Sequence, residues 1–180
     1  MGACVGTLGY GGVSCPPETP GMKQFAYLAN LGEIASWTAG TEGIYTNFTM
    51  DAGKGLLRFE IKKDSGIFRE TLEGGDQDLG SYNQEYEAMI ASLSTEARNF
   101  VDNTHGPDFV VFAPTKNGRV FVLGKDIGAK LVENEATSEQ DGYGERILFR
   151  ATQMPQKRFE LLDTDTDTTI ALLEAKVVAS

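Results

Sequence analysis

A strict alternation of apolar and charged side chains is the feature that most constrains the fold of this chain. Residues 57–62 read Leu-Arg-Phe-Glu-Ile-Lys, so the apolar side chains fall on one side of an extended backbone and the charged ones on the other. A period of two residues is typical of a strand with one buried face. The same period returns in residues 67–73 after Asp64-Ser65-Gly66, and the two segments are predicted to pair as a hairpin with a short turn.

Most of the remaining chain also favours strands. Residues with β-branched and aromatic side chains, which suit a pleated and half-buried backbone, are frequent in segments 22–30, 34–38, 44–50, 109–114, 119–123, 128–136, 143–153 and 158–162. Asn117-Gly118 lies between two of these segments and is a typical hairpin turn. Segments 128–136 and 143–153 are predicted to form another strand pair around a polar loop, and Gly144 marks a bulge or a close backbone approach in the later strand. Together the patterns predict a mainly β protein.

One segment combines two periods. Residues 81–103 alternate in their first half and carry a helical stripe of apolar residues in their second half. Ser94 precedes Thr95-Glu96-Ala97-Arg98 and has the side chain of a typical helix N-cap, with an acidic residue in the first turn. We therefore predict a strand to about residue 91 and a helix from about Thr95 to Asp102.

The two ends of the chain differ in composition from its middle. Residues 1–21 are rich in Gly and Pro, residues 163–180 begin with alternating Asp and Thr, and residues 22–162 carry the strand patterns. A length of 180 residues suits one domain with extensions. We thus predict a flexible N-terminal arm (1–21), a β domain (22–162) and an acidic, Thr-rich C-terminal tail (163–180).

The charge balance disfavours two classes of partner. The chain has 16 Lys and Arg against 26 Asp and Glu, a formal net charge of −10. Stable binding to nucleic acid needs clustered cations, and an anionic membrane surface repels an acidic chain. The acidity either provides solubility or belongs to a surface past which nucleic acid moves without being held.

The cysteines and the first residues indicate the cellular compartment. Cys4 and Cys15 are the only cysteines, and they lack the CxxC spacing of a redox or zinc motif. They are predicted to be free thiols in a reducing cytoplasm. The first residues lack the basic and apolar regions of a signal peptide, and no apolar stretch is long enough to span a bilayer. We therefore expect a protein that is made and used in the cytoplasm or is released from a lysed cell.

No arrangement of residues predicts catalysis. His105 is the only histidine, and it lies in Asn-Thr-His-Gly-Pro, a loop composition without a Ser or Cys nucleophile motif. The carboxylates show no spacing that singles out an acid–base pair. We accordingly predict that the chain is not an enzyme and uses no cofactor and no metal.

One stretch nevertheless leaves a metal site open as an alternative. Oxygen-bearing side chains occupy positions 1, 3, 5, 7 and 12 of a calcium-binding loop, namely Asp163, Asp165, Asp167, Thr169 and Glu174. Position 6 of such a loop is normally glycine, and here it is Thr168. An acidic linker is the preferred interpretation, and a small calcium- or ligand-binding β module is the alternative.

The pattern of the second half resembles a known family. The residues that carry the likeness are Asn99-Phe100-Val101, the apolar run 109–112, Asn117-Gly118, the segment 121–124, Gly128-Ala129, and the stretch from Gly142-Tyr143 through Ile147-Leu148-Phe149 to Pro155. In these residues the chain resembles tail tube proteins of tailed bacteriophages, best those of phages with Bacteroidetes-type hosts. The likeness extends over residues 44–162.

The resemblance implies both a fold and a function. The implied fold has two packed antiparallel sheets, a β-sandwich or partly closed barrel, with one flanking helix. The implied function is structural: rings, commonly of six copies, stack into a tube that conducts DNA during ejection. Partners would be other copies of the chain, other virion tail proteins and DNA in transient, non-specific passage, with no membrane binding. The location would be the virion tail, after assembly in the host cytoplasm.

Two sets of candidate functional residues follow from the resemblance. An acidic lumen would repel phosphates and let DNA slide, and its candidate lining residues on or near predicted strands are Glu60, Glu70, Glu73, Glu85 and Glu87. Ring-to-ring contacts are expected from the N-terminal arm and from a loop with Gly74, Gly75, Asp76, Gln77 and Asp78. Open sheet edges invite pairing, and a ring completes them from copy to copy. A head–tail junction protein and the tube of a contractile injection system are alternatives.

Overall fold

The computed structural model of the chain describes residues 21–41, 43–74, 80–139 and 143–178. Within these ranges the chain forms eleven strands and two α-helices. The strands are β1 (Phe25–Asn30), β2 (Ile34–Ala39), β3 (Ile44–Met50), β4 (Leu57–Glu60), β5 (Ile67–Glu73), β6 (Ser81–Ile90), β7 (Phe109–Pro114), β8 (Val120–Leu123), β9 (Lys130–Thr137), β10 (Gly144–Met154) and β11 (Phe159–Leu161). The helices are α1 (Thr95–Thr104) and α2 (Thr166–Glu174), and a 3₁₀ turn (Leu31–Glu33) joins β1 to β2.

The strands form two sheets that pack face to face, as the resemblance implied. The larger sheet has the order β2-β3-β11-β8-β7-β1-β4, and the smaller has the order β5-β6-β10-β9. The smaller sheet is antiparallel throughout, whereas the larger contains one parallel pair, β3 with β11. In the described residues neither sheet closes into a barrel, so the fold is a sandwich.

Aromatic side chains fill both faces of the larger sheet. All six residues of β7 are buried, because this central strand is covered on each side. Phe109 meets Phe149 of the smaller sheet at a ring-centroid distance of 6.3 Å. Phe112, on the opposite face, stacks on Phe48 at 4.9 Å. A strand buried on both faces reads as a continuous apolar run, which explains why residues 109–113 lack the alternation seen at 57–62.

The predicted hairpin of residues 57–73 is wrong, although both strands exist. β4 pairs with β1 in the larger sheet, and β5 pairs with β6 in the smaller one. The chain changes sheets between them: the Ile61 amide donates to the Gln24 carbonyl, and the Lys62 amide donates to the Met89 carbonyl. The connection therefore bridges the sandwich instead of closing a tight turn.

Four other local predictions are confirmed. β7 and β8 pair across Asn117-Gly118, where Gly118 has a φ of +93°. β9 and β10 also pair. Gly144 is a close approach, since a Cβ there would stand 2.2 Å from the Ile90 carbonyl oxygen. Helix α1 begins after Ser94, whose hydroxyl accepts from the Ala97 amide at 3.3 Å.

The segment set apart as an acidic tail contains a second helix, α2, packed on the larger sheet. Asp165 and Thr168 form a capping box at its start, which suits the preference of Asp for the N-cap. Leu173 is fully buried, and the Tyr27 hydroxyl of β1 donates to the Glu174 carboxylate at 2.7 Å. The fold thus has two helices in its described part, where the resemblance implied one.

Candidate functional site: the outer face and edges of the smaller sheet

The smaller sheet turns a charged face away from the core. Along β6, Gln84, Tyr86 and Ala88 are buried toward the larger sheet. Glu85 and Glu87 alternate with them and therefore lie on the outer face. In the adjacent strand β10, Arg150 is the register partner of Glu85, and Leu148 is the partner of Glu87. Period-two alternation thus separates the core side from the charged side.

Ion pairs join three strands across this face. Arg69 of β5 and Arg146 of β10 each contact the Glu87 carboxylate at 2.7 Å. Arg150 contacts Glu85 at 2.7 Å. The hydrogen bond from Arg69, followed by that from Arg146, holds the pKa of Glu87 below its ordinary value of 4.5. Because the Glu87 side chain is only 14% exposed and contacts two arginines, this carboxylate is the centre of the ion-pair network on the outer face.

Replacing Glu87 with glutamine should destabilise the fold by about 1 kcal/mol, since both arginines lose a charged partner but are themselves nearly half exposed. The folded-state pKa is lowered, so the ionised carboxylate stabilises the fold above the ordinary pKa. That contribution is lost as the pH falls through the lowered pKa. The difference in unfolding free energy between wild type and Glu87→Gln should therefore close in acid, as urea titrations at several pH values would measure.

Glu133→Gln provides the control for this prediction. Glu133 lies opposite Leu148 on the same sheet and is exposed, so its change should be close to zero. Two outcomes would contradict a stabilising role for the ion pairs of Glu87. One is an equal loss of unfolding free energy in both variants, and the other is a difference that persists when the carboxyls are protonated.

The five predicted lumen residues do not share one face. Glu73 lies on the face of Glu85 and Glu87, because it is four residues from Arg69 along β5. Glu70 points to the other side and accepts from the Arg158 amide, with the Arg158 guanidinium at 3.6 Å. Glu60 belongs to the larger sheet and pairs with Arg58 at 3.0 Å.

Sequence reasoning missed the arginines that form ion pairs with Glu85 and Glu87. Arg146 and Arg150 stand four residues apart on one strand and therefore share a face. That spacing was a usable signal. The cross-strand register, which the sequence does not state, decides that they meet these two glutamates.

Within the described residues, the smaller sheet has two unpaired edges. β5 and β9 are its outermost strands, and the described residues contain no further strand beside either. Apolar side chains lie exposed on or next to them: Leu72 (63%) and Ile67 on β5, Val132 (44%) on β9 and Tyr143 before β10. An edge of this kind is a template for another chain. The two edges are therefore candidate interfaces.

The predicted ring-to-ring contacts fall largely outside the described residues. Gly74 follows β5 and is exposed. Gly75, Asp76, Gln77 and Asp78 are not among the described residues, and neither are residues 1–20 of the predicted arm.

The structure also places the two remaining chemical candidates from the sequence, His105 and the stretch with calcium-loop spacing. His105 follows α1 and is exposed. In the stretch with calcium-loop spacing, residues from Thr166 onward are helical, Asp165 caps the helix, and Glu174 binds Tyr27 and Arg58. In the ranges that the structure describes, no three His, Cys, Asp or Glu side chains are placed to hold a metal ion.

A lysine lies within an aromatic cage on the larger sheet. The Lys125 ammonium stands 4.6 Å from the ring centroid of Phe159, 4.7 Å from that of Tyr45 and 5.7 Å from that of Trp37. Asp126 pairs with it at 2.6 Å. Cation–π contacts and an ion pair anchor this loop, and the cage is occupied by the chain itself.

Comparisons with protein-family models, with curated proteins and with solved structures found no match to this chain. Neither helix in the described ranges is long and apolar enough to cross a membrane.

Proposed function

We propose that this chain is a structural subunit that assembles through the edges of its smaller sheet into rings, and that these rings stack as the tail tube of a tailed bacteriophage. The observation that carries the proposal is the four-stranded antiparallel sheet, whose two edges expose apolar side chains and pair with no other strand of the described residues. The resemblance in residues 44–162 supports the viral assignment.

The directions of the two edge strands suit a ring. Three successive antiparallel pairs separate β5 from β9, so the two strands run in opposite directions. When a copy is rotated about an axis along the strands, its β5 meets the β9 of its neighbour antiparallel. Such a contact joins different surfaces of the two copies, and rotation can close it into a ring. The sheet then continues from copy to copy.

The charged outer face supports a lumen that does not hold DNA. Arg69, Arg146 and Arg150 could each grip a phosphate, yet each is paired with a glutamate at 2.7 Å. Lys130, the register partner of Arg150 on the same face, lies 3.8 Å from Asp108. Glu73 on this face and Glu135 near Arg146 add negative charge. The whole chain carries a net charge of −10. Repulsion of phosphates together with occupied arginines favours passage over binding.

The partners and location follow from this assignment. The chain would contact other copies of itself and other virion tail proteins in the virion tail, after assembly in the host cytoplasm. A head–tail junction ring and a contractile-injection tube would use the same edge pairing.

Negative-stain electron microscopy of the purified chain over a rising concentration series tests the proposal. Rings with a central hole, and at higher concentration stacked tubes, are the expected result. Sedimentation velocity on the same samples should show the corresponding loss of monomer. Particles that stay strictly monomeric at the highest concentration would count against it.

A further inference from the structure

A cleft of about 950 Å³ lies beside β4, away from the edges of the smaller sheet. Leu57, Phe59 and Ile90 contribute to one side of it, and Phe100 and Asn99 of α1 to the other. Phe59 and Phe100 are in ring contact at 5.1 Å, so α1 is packed against the strand below the opening. The cleft therefore combines an apolar floor with a sheet edge, since β4 is the last strand of the larger sheet.

The backbone of β4 is unpaired along part of this edge. Leu56 directs its amide and carbonyl away from β1, to Lys176 and Val178. Ile61 directs its amide toward β1, to Gln24. Because backbone groups alternate in direction along a strand, the amides and carbonyls of Arg58 and Glu60 also point away from β1. No ladder hydrogen bond to these two residues occurs on that side among the described residues.

The described chain begins at Gly21, whose carbonyl accepts from the Lys116 amide, and Met22 then brings it close to Ile61 at one end of this cleft. Met22 and Ile61 flank the same point, since a Cβ on Gly66 would stand 2.8 Å from both side chains, and Ile61 lines the cleft. Residues 1–20 precede this point, and Glu18 is their only charged side chain. An extended chain of that length reaches up to about 66 Å, far more than the roughly 10 Å of open edge.

We propose that the cleft beside β4 is a strand-addition site for the N-terminal segment of the same chain, residues 1–20. Backbone groups of the segment would pair with Arg58 and Glu60, and its apolar side chains, from among Val5, Leu8, Tyr10 and Val13, would enter the cleft. Main-chain pairing with pockets for alternate side chains is how extended peptides bind sheet edges. The segment enters at the Glu60 end, so it would run parallel to β4.

Two reasons favour the chain's own N-terminal segment as the occupant of this cleft. A short tether gives the segment a high effective concentration at its own cleft. Because Glu18 is its only charged side chain, the segment also suits an apolar floor better than the charged face of the smaller sheet. Covering β4 also removes an exposed sheet edge at which another chain could pair. This inference does not rest on the proposed function, because a chain that never forms rings would still contain the contact.

The native cysteines supply the test. Cys4 and Cys15 both lie in the segment, and the chain has no others. A third cysteine is introduced at Asn99, which lines the cleft, or at Arg98, the exposed neighbour on α1 that does not line it. Both full-length variants are oxidised mildly, and intrachain disulfides are mapped by mass spectrometry under non-reducing conditions.

The expected result is an intrachain disulfide from N99C to Cys4 or Cys15 that forms several-fold faster than the one from R98C, because the tether is equal and only the docking differs. Equal rates for the two variants would overturn the proposal, as would no disulfide at N99C. Disulfide-linked dimers at N99C would show that the cleft takes the segment of a second copy, and would also overturn it. Matching thermal melts of both variants establish that the fold is intact.

Discussion

Phe112→Ala should lower the free energy of unfolding by about 3–5 kcal/mol, the usual cost of deleting a fully buried aromatic ring. Phe112 is 0% exposed and lies in β7, an inner strand of the larger sheet whose residues are all buried. Its ring stacks on Phe48 at 4.9 Å and on Trp37 at 5.9 Å. Alanine would leave a cavity between these rings, which strands of the larger sheet hold in place.

Trp37 provides the measurement. It is the only tryptophan of the chain and touches the substituted ring, so urea unfolding followed by its fluorescence reports on the site. Tyr143→Ala is the control, because Tyr143 is 48% exposed and its loss should change stability by less than about 1 kcal/mol. A cost below about 1 kcal/mol for Phe112→Ala would mean that Trp37 and Phe48 do not enclose the ring.

The sequence predicted the strands well because the patterns that mark a strand lie within a few neighbouring residues. The alternation in residues 57–62 and the turn at Asn117-Gly118 depend on neighbours within a few residues. The partner of a strand depends on side chains far along the chain. Residues 57–62 and 67–73 have the composition of a hairpin, yet hydrogen bonds from Ile61 to Gln24 and from Lys62 to Met89 send them to different sheets.

Helix α2 shows how composition can conceal an element. The Asp and Thr residues of 163–169 predict an acidic linker, but Asp165 and Thr168 form a capping box. Ile170, Leu172 and Leu173 follow at spacings that give one apolar face, and Leu173 is fully buried. The capping pattern was visible in the sequence, whereas the sheet surface that receives Leu173 was not.

The candidate site was predictable only in part. Alternation along β6 placed Glu85 and Glu87 together on one face. Their neutralisation by Arg69, Arg146 and Arg150 depends on register between strands, which a single sequence does not determine. The open edges of β5 and β9 depend on strand order, and strand order is again a long-range property.

Lysine substitutions at the two open edges should abolish assembly. Leu72→Lys on β5 and Val132→Lys on β9 each place a charge in an apolar contact that a neighbouring copy would cover, which is how natural sheets block edge pairing. Both side chains are exposed in the single chain, so the fold should tolerate them within about 0.5 kcal/mol. Each variant alone should sediment as a monomer where the wild type forms rings. Thr152→Lys, on the exposed surface of the inner strand β10, is the control and should assemble normally.

An equal mixture of the two variants identifies the kind of contact. Leu72→Lys retains an intact β9 edge, and Val132→Lys retains an intact β5 edge, so the mixture can form one β9–β5 contact and then has no intact edge left. Growth should therefore stop at a heterodimer. If copies instead met through two β5 edges about a two-fold axis, Val132→Lys would assemble like wild type and the mixture would form no new species. Rings from either single variant would show that the edges of the smaller sheet are not the contact, because every β9–β5 contact contains one residue of each kind.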